Sequence, residues 1–430
     1  MTTSLRTTDT AVSNLAANDD ATATTPKTTR LTKRPYIQRG TPEFIRVTLA
    51  FFSAGLATFA LLYCVQPILP LLSQDFNISP ASSSLSLSTA TGMLAFGLMF
   101  TGPLSDAIGR KSVMVVALML AAICTLICSF MTSWHGILLM RALIGLSLSG
   151  VAAVAMTYLS EEIHPSFVAL SMGLYISGNS IGGMSGRLIT GVLSDFFSWR
   201  IALAVIGIFA LAAACMFWRI LPTSKHFRPT SLRPRTLMIN FKLHWRDSGL
   251  PLLFAEGFLI MGSFVTLFNY IGYRLLAPPY YLSQAVVGLL SIVYLTGSYS
   301  SPKAGALTTR YGRGPVLMAA IGMMLIGVII TGFSPVITIF IGMMVFTAGF
   351  FAAHSVASSW IGRRARRAKA QASSLYLFCY YAGSSVAGTL GGIFWLNLGW
   401  AGVVAFIATL LLLALYVGQR LRKLPEAAKI

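Results

Sequence analysis

What most constrains this chain is the recurrence of twelve stretches of about twenty residues from which charged side chains are nearly absent. They run approximately 46–66, 82–104, 112–132, 136–158, 168–190, 199–220, 250–272, 284–302, 315–333, 336–358, 371–393 and 399–419. Twenty helical residues rise about 30 Å, the thickness of a bilayer core. Lipid offers the backbone no hydrogen bonds, so a segment that crosses it must pair every N–H and C=O within itself. Each stretch is therefore predicted to be a helix, and the fold class is an all-α membrane protein with twelve transmembrane helices. Apolar residues make up 55% of the chain and charged residues 10%. A soluble protein carries about 25% charged residues, so this chain has too few to clothe a water-facing surface.

The net charge of +20 raises a nucleic-acid reading, which the placement of the charges rejects. Lys and Arg cluster in the loops after even-numbered stretches: Arg110 and Lys111, Arg219 to Arg246, Arg310 and Arg313, Arg363 to Lys369, and Arg420 to Lys423. This is the bias of cytoplasmic loops. An even number of spans returns the chain to the side it started from, so both termini are expected in the cytoplasm. Residues 1–44 have no apolar run. They are read as a disordered cytoplasmic tail and not as a signal peptide, with their basic end near anionic headgroups. The remaining parse is a six-helix bundle over 45–220, a cytoplasmic linker over 221–249, a second six-helix bundle over 250–420 and a short tail over 421–430. The five cysteines lie in apolar stretches without metal-ligand spacing and read as buried thiols.

The two bundles repeat each other. Gly102, Leu104, Gly109 and Arg110 after the second stretch recur as Gly305, Leu307, Gly312 and Arg313 after the eighth. Gly178, Gly182 and Gly183 in the fifth stretch correspond to Gly383, Ala387 and Gly388 in the eleventh. Duplicated six-helix units are a known transporter plan.

On these residues the chain resembles the major facilitator superfamily over about 46–420. Its loop Gly102, Leu104, Asp106, Gly109, Arg110, Lys111 matches the family signature Gly-x-Leu-x-Asp-Arg-x-Gly-Arg-Lys, with Ala107 in place of a basic residue. The resemblance implies a conformational latch in which Asp106 and Arg110 hold the halves together on the cytoplasmic side. Arg141 and Gly145 resemble the family's intramembrane Arg motif. Gly178, Asn179, Gly182 and Gly183 resemble the helix-packing antiporter motif, with Asn179 where Pro is usual. The paired prolines Pro67 and Pro70 resemble the twelve-span drug:proton antiporters, within a branch of bacterial inner-membrane exporters. What this implies is efflux of a small molecule (drug, sugar or organic anion) against protons by alternating access. A proton-coupled importer or facilitator on the same fold, and a membrane sensor that transports nothing, are the rival readings.

Proton coupling needs an ionisable group inside the membrane, and Glu256 is the one acid within a span. It is read as a proton site, or else as an interfacial Glu paired with Arg246. His354 is its expected partner at similar depth, or else a neutral His on a backbone carbonyl. Arg141 and Arg187 complete the coupling candidates; if both face the cavity, an anionic substrate is favoured. Tyr63, Gln66, Asn269, Tyr270 and Tyr273 are the substrate-cavity candidates, against a reading as interfacial aromatics. No phosphate-binding loop, nucleophile–base set or metal cluster is present, so no enzyme, cofactor or metal is expected. The expected partners are lipid, a small-molecule substrate and protons, with the protein a monomer.

Overall fold

The computed structural model describes residues 36–227 and 234–424. The first helices are α1 (Pro42–Tyr63), α2 (Leu69–Asp75), α3 (Pro80–Ile108), α4 (Arg110–Ser129), α5 (Trp134–Glu162), α6 (Pro165–Phe196) and α7 (Trp199–Ile220). Their starts fall where Ser or Thr can accept an orphan N–H, and several carry Pro in the first turn. Thr41 accepts from Phe44 N at 3.2 Å, Ser79 from Ser82 N at 3.1 Å, and Ser133 and Ser198 cap α5 and α7 in the same way. The second half comprises α9 (Leu250–Leu276), α10 (Gln284–Leu289), a 3-10 turn at Leu290–Val293, α11 (Tyr294–Tyr311), α12 (Arg313–Ile330), α13 (Val336–Arg364) and α14 (Lys369–Lys423). Between the halves lies α8 (Pro234–Arg246).

Nine of the described helices are long and apolar enough to cross a membrane on that ground alone. The others follow from composition and geometry. The eleventh and twelfth spans are the two helices of α14, which meet at the non-helical Gly399. The fifth, α6, is diluted by Gly, Ser and Arg187, and the eighth is interrupted by the 3-10 turn. The chain thus forms twelve spans in two pseudo-symmetric six-helix bundles.

The duplication is visible in the packing. α3 packs on α5 as α11 packs on α13, α1 on α6 as α9 on α14, and α4 on α7 as α12 on α14. Thr101 Oγ1 donates to Ser149 O at 3.2 Å, and Ser300 Oγ donates to Ala348 O at 2.8 Å; both pairs are 48 residues apart. A Cβ on Gly178 would meet the carbonyl of Phe52, and one on Gly383 that of Phe258. Small residues let α1 and α6, and α9 and α14, approach to backbone contact. The repeated Gly109 and Gly312 have φ of 105° and 81°. A side chain there would be strained, so both copies of the motif keep Gly where one helix must turn into the next.

The surface supports lipid as solvent. On α4, Val116, Leu120, Ile123 and Ile127 form an exposed apolar stripe. Stripes of this kind on water-facing protein are aggregation hazards; in hydrocarbon they are ordinary.

Three stretches of the parse differ in detail. Residues 1–35 of the expected tail lie outside the described residues, while Ile37 already pairs with the corner between α5 and α6: Ile37 N donates to Glu162 O at 2.9 Å and His164 N to Ile37 O at 3.1 Å. The linker 221–249 is not merely polar, because α8 occupies 13 of its residues. Residues 228–233 and 425–430 lie outside the description, and α14 continues helical through Lys423.

Candidate functional site

Where the halves meet, a buried polar chain crosses from one to the other. The C-terminal end of α1 turns at Tyr63 and presents Gln66 to the interface. Gln66 Oε1 accepts from Arg187 Nε of α6 at 2.6 Å. Gln66 Nε2 donates to Asn269 Oδ1 of α9 at 2.8 Å, and Asn269 Nδ2 donates to Gly388 O of α14 at 3.4 Å. All three side chains are at most 3% exposed. Arg187 also donates from Nη1 to Gly183 O at 2.5 Å, while its Nη2 is buried with no acceptor. The guanidinium lies 4.4 Å from the Tyr63 ring centroid, 4.7 Å from Tyr294 and 5.6 Å from Phe268. Such ring faces stabilise a cation without neutralising it. Beside the site is a cavity of about 20 Å³ edged by Gln66, Arg187, Phe268 and Ser291, room for about one water molecule.

More inter-half bonds surround this chain. Tyr273 Oη donates to Leu69 O at 2.9 Å and exchanges a bond with Ser73 at 2.7 Å. Gln284 Nε2 donates to Pro67 O, and Gln284 N donates to Asp195 at 3.2 Å. Ser291 Oγ donates to Met184 O at 3.1 Å. Ser385 Oγ donates to Ser88 O at 2.8 Å, and Thr389 Oγ1 to Ser88 Oγ at 2.7 Å. These bonds occupy the middle of the bundle and the end away from the basic clusters. Beyond that end, Asp75 accepts from Trp199 Nε1 and Arg200 Nη1, each at 2.8 Å. The two bonds, Trp199 first, hold its carboxyl below the usual range.

At the basic end no hydrogen bond between described residues joins the halves. Arg110 pairs with Asp106 and, through Nε at 3.1 Å and Nη2 at 2.8 Å, with Glu161 of α5. Lys111 Nζ donates to Leu221 O at 2.5 Å. The signature loop is therefore tied within its own half, and the expected bridge between halves is not made in this conformation. Gly102 and its repeat Gly305 face open space. The second half has its own tie: Arg364 Nε donates to Asp247 Oδ1 at 2.5 Å, and the same oxygen accepts from Gly249 N and Leu250 N at the start of α9. Burial raises the Asp247 carboxyl, but Arg364 and the two N–H groups outweigh it and hold it below the usual range.

The coupling candidates are not gathered together. Arg141 is spent on backbone: its three nitrogens donate to Ser86 O, Leu61 O and Leu62 O at 2.8, 2.9 and 2.6 Å. It fastens the carbonyl end of α1 to α3 and does not meet Arg187. Glu256 is fully buried and neither carboxylate oxygen has a hydrogen-bond partner; in particular it does not pair with Arg246. It points into the second bundle, where a Cβ on Gly418 of α14 would lie 3.3 Å from Oε1 and 3.5 Å from Met318. His354 Nδ1 bonds Tyr376 Oη at 2.9 Å, and its ring lies tilted against that of Tyr380, with centroids 4.6 Å apart. The expected Glu256–His354 partnership is not formed; the ring of Tyr376, packed against Gly257, lies next to both helices.

Of the cavity candidates, Tyr63, Gln66 and Asn269 converge on Arg187. Tyr270 instead donates to Gly388 O at 2.7 Å inside the second bundle, and Tyr273 belongs to the closed end. Gly182 sits on the carbonyl of Leu56, Gly183 lies near the Arg187 side chain, and Asn179 packs against Gly55. Tyr294, Phe268 and Ser291 were not anticipated. Nothing local marks them, because their role comes from a cation on another helix.

The sequence matches the Major Facilitator Superfamily over residues 47–284 and 259–429. It is 73% identical over 388 residues to the inner membrane transport protein YnfM of Escherichia coli K12, covering 90% of this chain and 93% of that one. It is 45% identical to the uncharacterized MFS-type transporter YybF of Bacillus subtilis 168, covering 90% and 96%. Among solved structures, a mutant of the nucleoside transporter NupG superimposes with a TM-score of 0.72 at 14% identity, covering 88% and 100%. A bacterial homologue of the lysosomal transporter Spinster, inward-facing and unoccupied, gives 0.69 at 14% identity, covering 89% and 95%. At such identity these two speak for the fold alone.

Proposed function

The chain belongs to the major facilitator superfamily, and from that premise we propose that this multi-pass inner-membrane transporter expels a small molecule in exchange for protons by alternating access. One observation supports the reading: the hydrogen bonds that join the halves lie at one end and the middle, and among the described residues none joins them at the basic end. If the positive loops and both termini are cytoplasmic, the pathway is open to the cytoplasm and shut toward the outside. This is the state in which an exporter loads. Rocking of the halves would break the Gln66–Asn269 and Tyr273–Leu69 bonds and close the basic end. The Asp106–Arg110–Glu161 cluster would then meet the second half and serve as the latch. Glu256 is the proposed protonation site, supported by its burial without a bonding partner inside a span. Arg141 is a positioning residue that keeps the end of α1, and so Gln66, in register.

The test is transport in vesicles with an imposed pH gradient, with a panel of labelled drugs, sugars and organic anions. Export predicts accumulation in inverted vesicles that collapses with the gradient. Accumulation in right-side-out vesicles alone, or movement indifferent to the gradient, would overturn the reading.

A further inference from the structure

We propose that Arg187 is the receptor for the carboxylate of an organic anion whose flat apolar body lies against Tyr63, Phe268 and Tyr294. The inference deepens the transport reading and rests on it for the word substrate, but the binding site stands on its own observations.

An arginine cannot shed its charge in a protein, and burying that charge without a counter-ion is costly. The chain contains its own control. Arg141 is equally buried, and each of its three nitrogens is on a carbonyl. Arg187 is 3% exposed, yet its Nη2 makes no hydrogen bond; the neutral Tyr294 hydroxyl interacts with the guanidinium but brings no countercharge. No carboxylate of a described residue lies within ion-pair distance of it, and Glu256, the acid inside a span, faces Gly418 elsewhere. Gln66 and Gly183 hold Nε and Nη1 in place. The guanidinium is thereby oriented by the protein and left incomplete.

The missing acceptor has a place to sit. The adjoining cavity has room for about one water, enough for a carboxylate oxygen, while the ligand's ring needs Tyr63, Phe268 and Tyr294 to part as the halves open; Ser291 stands at the cavity's edge, bonded to Met184 O and Gly288 O. A planar carboxylate suits the Arg fork better than a spherical ion does, because it can accept along two parallel N–H bonds. The walls choose the rest of the ligand. Tyr63, Tyr294 and Phe268 bring aromatic faces, and Phe264 stacks on Phe350 at 3.8 Å just beyond Phe268. A sugar or polyol would find few hydrogen-bonding groups along these rings, whereas a ring-bearing monocarboxylate would find stacking partners. Residues of both halves contribute, Tyr63 and Arg187 from the first, Phe268 and Tyr294 from the second, so an occupant at this point acts on the contact that must open during transport.

The experiment is equilibrium binding of radiolabelled benzoate to the purified full chain in detergent, with no pH gradient. Benzyl alcohol, benzylamine and chloride serve as competitors. The expected result is saturable benzoate binding, little competition from the neutral or cationic analogue or from chloride, and at least about a tenfold loss in Arg187→Gln. Arg187→Lys, which keeps the charge, should stay folded by melting temperature and retain weakened binding. The proposal is overturned if benzoate does not bind, if Arg187→Gln binds it unchanged, or if benzylamine or chloride displaces it as well as benzoate itself does. Binding that passes these tests without gradient-driven movement would count against proton-coupled export and leave the anion site standing.

Discussion

Replacing Asn269 with Ala should loosen the closed end by an amount the structure bounds. The change removes the acceptor of Gln66 Nε2, a bond of 2.8 Å between two side chains at most 3% exposed. A buried donor left without a partner costs about 1–3 kcal/mol. That cost falls on the closed state alone, because rocking the halves apart exposes Gln66 to water whether or not Asn269 is present. An equilibrium biased by 1–3 kcal/mol moves by about 5- to 150-fold. Gln66→Ala should move it further, since Arg187 Nε loses its acceptor as well. The readout is a thiol at Ser291, 3% exposed and bonded across the interface to Met184 O. Its labelling rate by a membrane-impermeant maleimide added from outside, in a background without the native cysteines, tracks the outward-open population. Asn269→Ala should speed labelling within the range above. The double substitution should add little to Gln66→Ala, because the two residues share one bond. Unchanged labelling, or single effects that add in full, would refute the claim that this bond holds the outer end shut.

Three further outcomes follow from the same contacts. Glu256→Gln should abolish proton-driven exchange while leaving benzoate binding at equilibrium intact, measured in paired vesicle and detergent assays, since Glu256 faces Gly418 and not Arg187. Gly182→Leu should destabilise the protein by at least about 1–3 kcal/mol in thermal or denaturant melts, by driving a side chain into the backbone of Leu56, whereas Gly173→Leu, in open space on the same helix, should melt like the parent. Asp247→Asn should lower the melting temperature at neutral pH, and its gap from the parent should narrow as pH falls below about 4. The Asp247 carboxyl is held below its ordinary range, so its stabilisation is complete above the unfolded pKa and is lost as pH drops through the folded one.

The twelve spans were legible because hydrophobic length is a direct physical requirement of the bilayer. The repeated Gly109 and Gly312 were legible as a motif, and the structure supplies the reason in their positive φ. α8 was hidden because the helical run 234–246 is embedded among basic residues and reads as polar linker. Gln66 and Asn269 were singled out as cavity residues, but their mutual bond depends on how near the halves stand, which no local pattern encodes. The Glu256–His354 pairing went astray for a geometric reason. Counting residues along a helix gives depth, and it does not give the direction a side chain faces. Glu256 and Gly257 are neighbours in sequence, yet one looks toward Gly418 and Met318 and the other onto Tyr376. Arg141 and Arg187 are alike in sequence, each a cation within a span. Only their partners separate the one bonded to carbonyls from the one left open.

The central claim is that two halves joined at one end exchange that closure for closure at the other. Paired spin-label distances measure it directly, with one label pair at Gln74 and Ser283, exposed at the joined end, and another at Gly102 and Gly305, where added side chains meet open space. Measured in nanodiscs as pH is lowered, with and without benzoate, the two distances should shift in opposite directions, the first lengthening as the second shortens. Two distances that lengthen together, or that stay fixed under every condition while transport proceeds, would contradict the account.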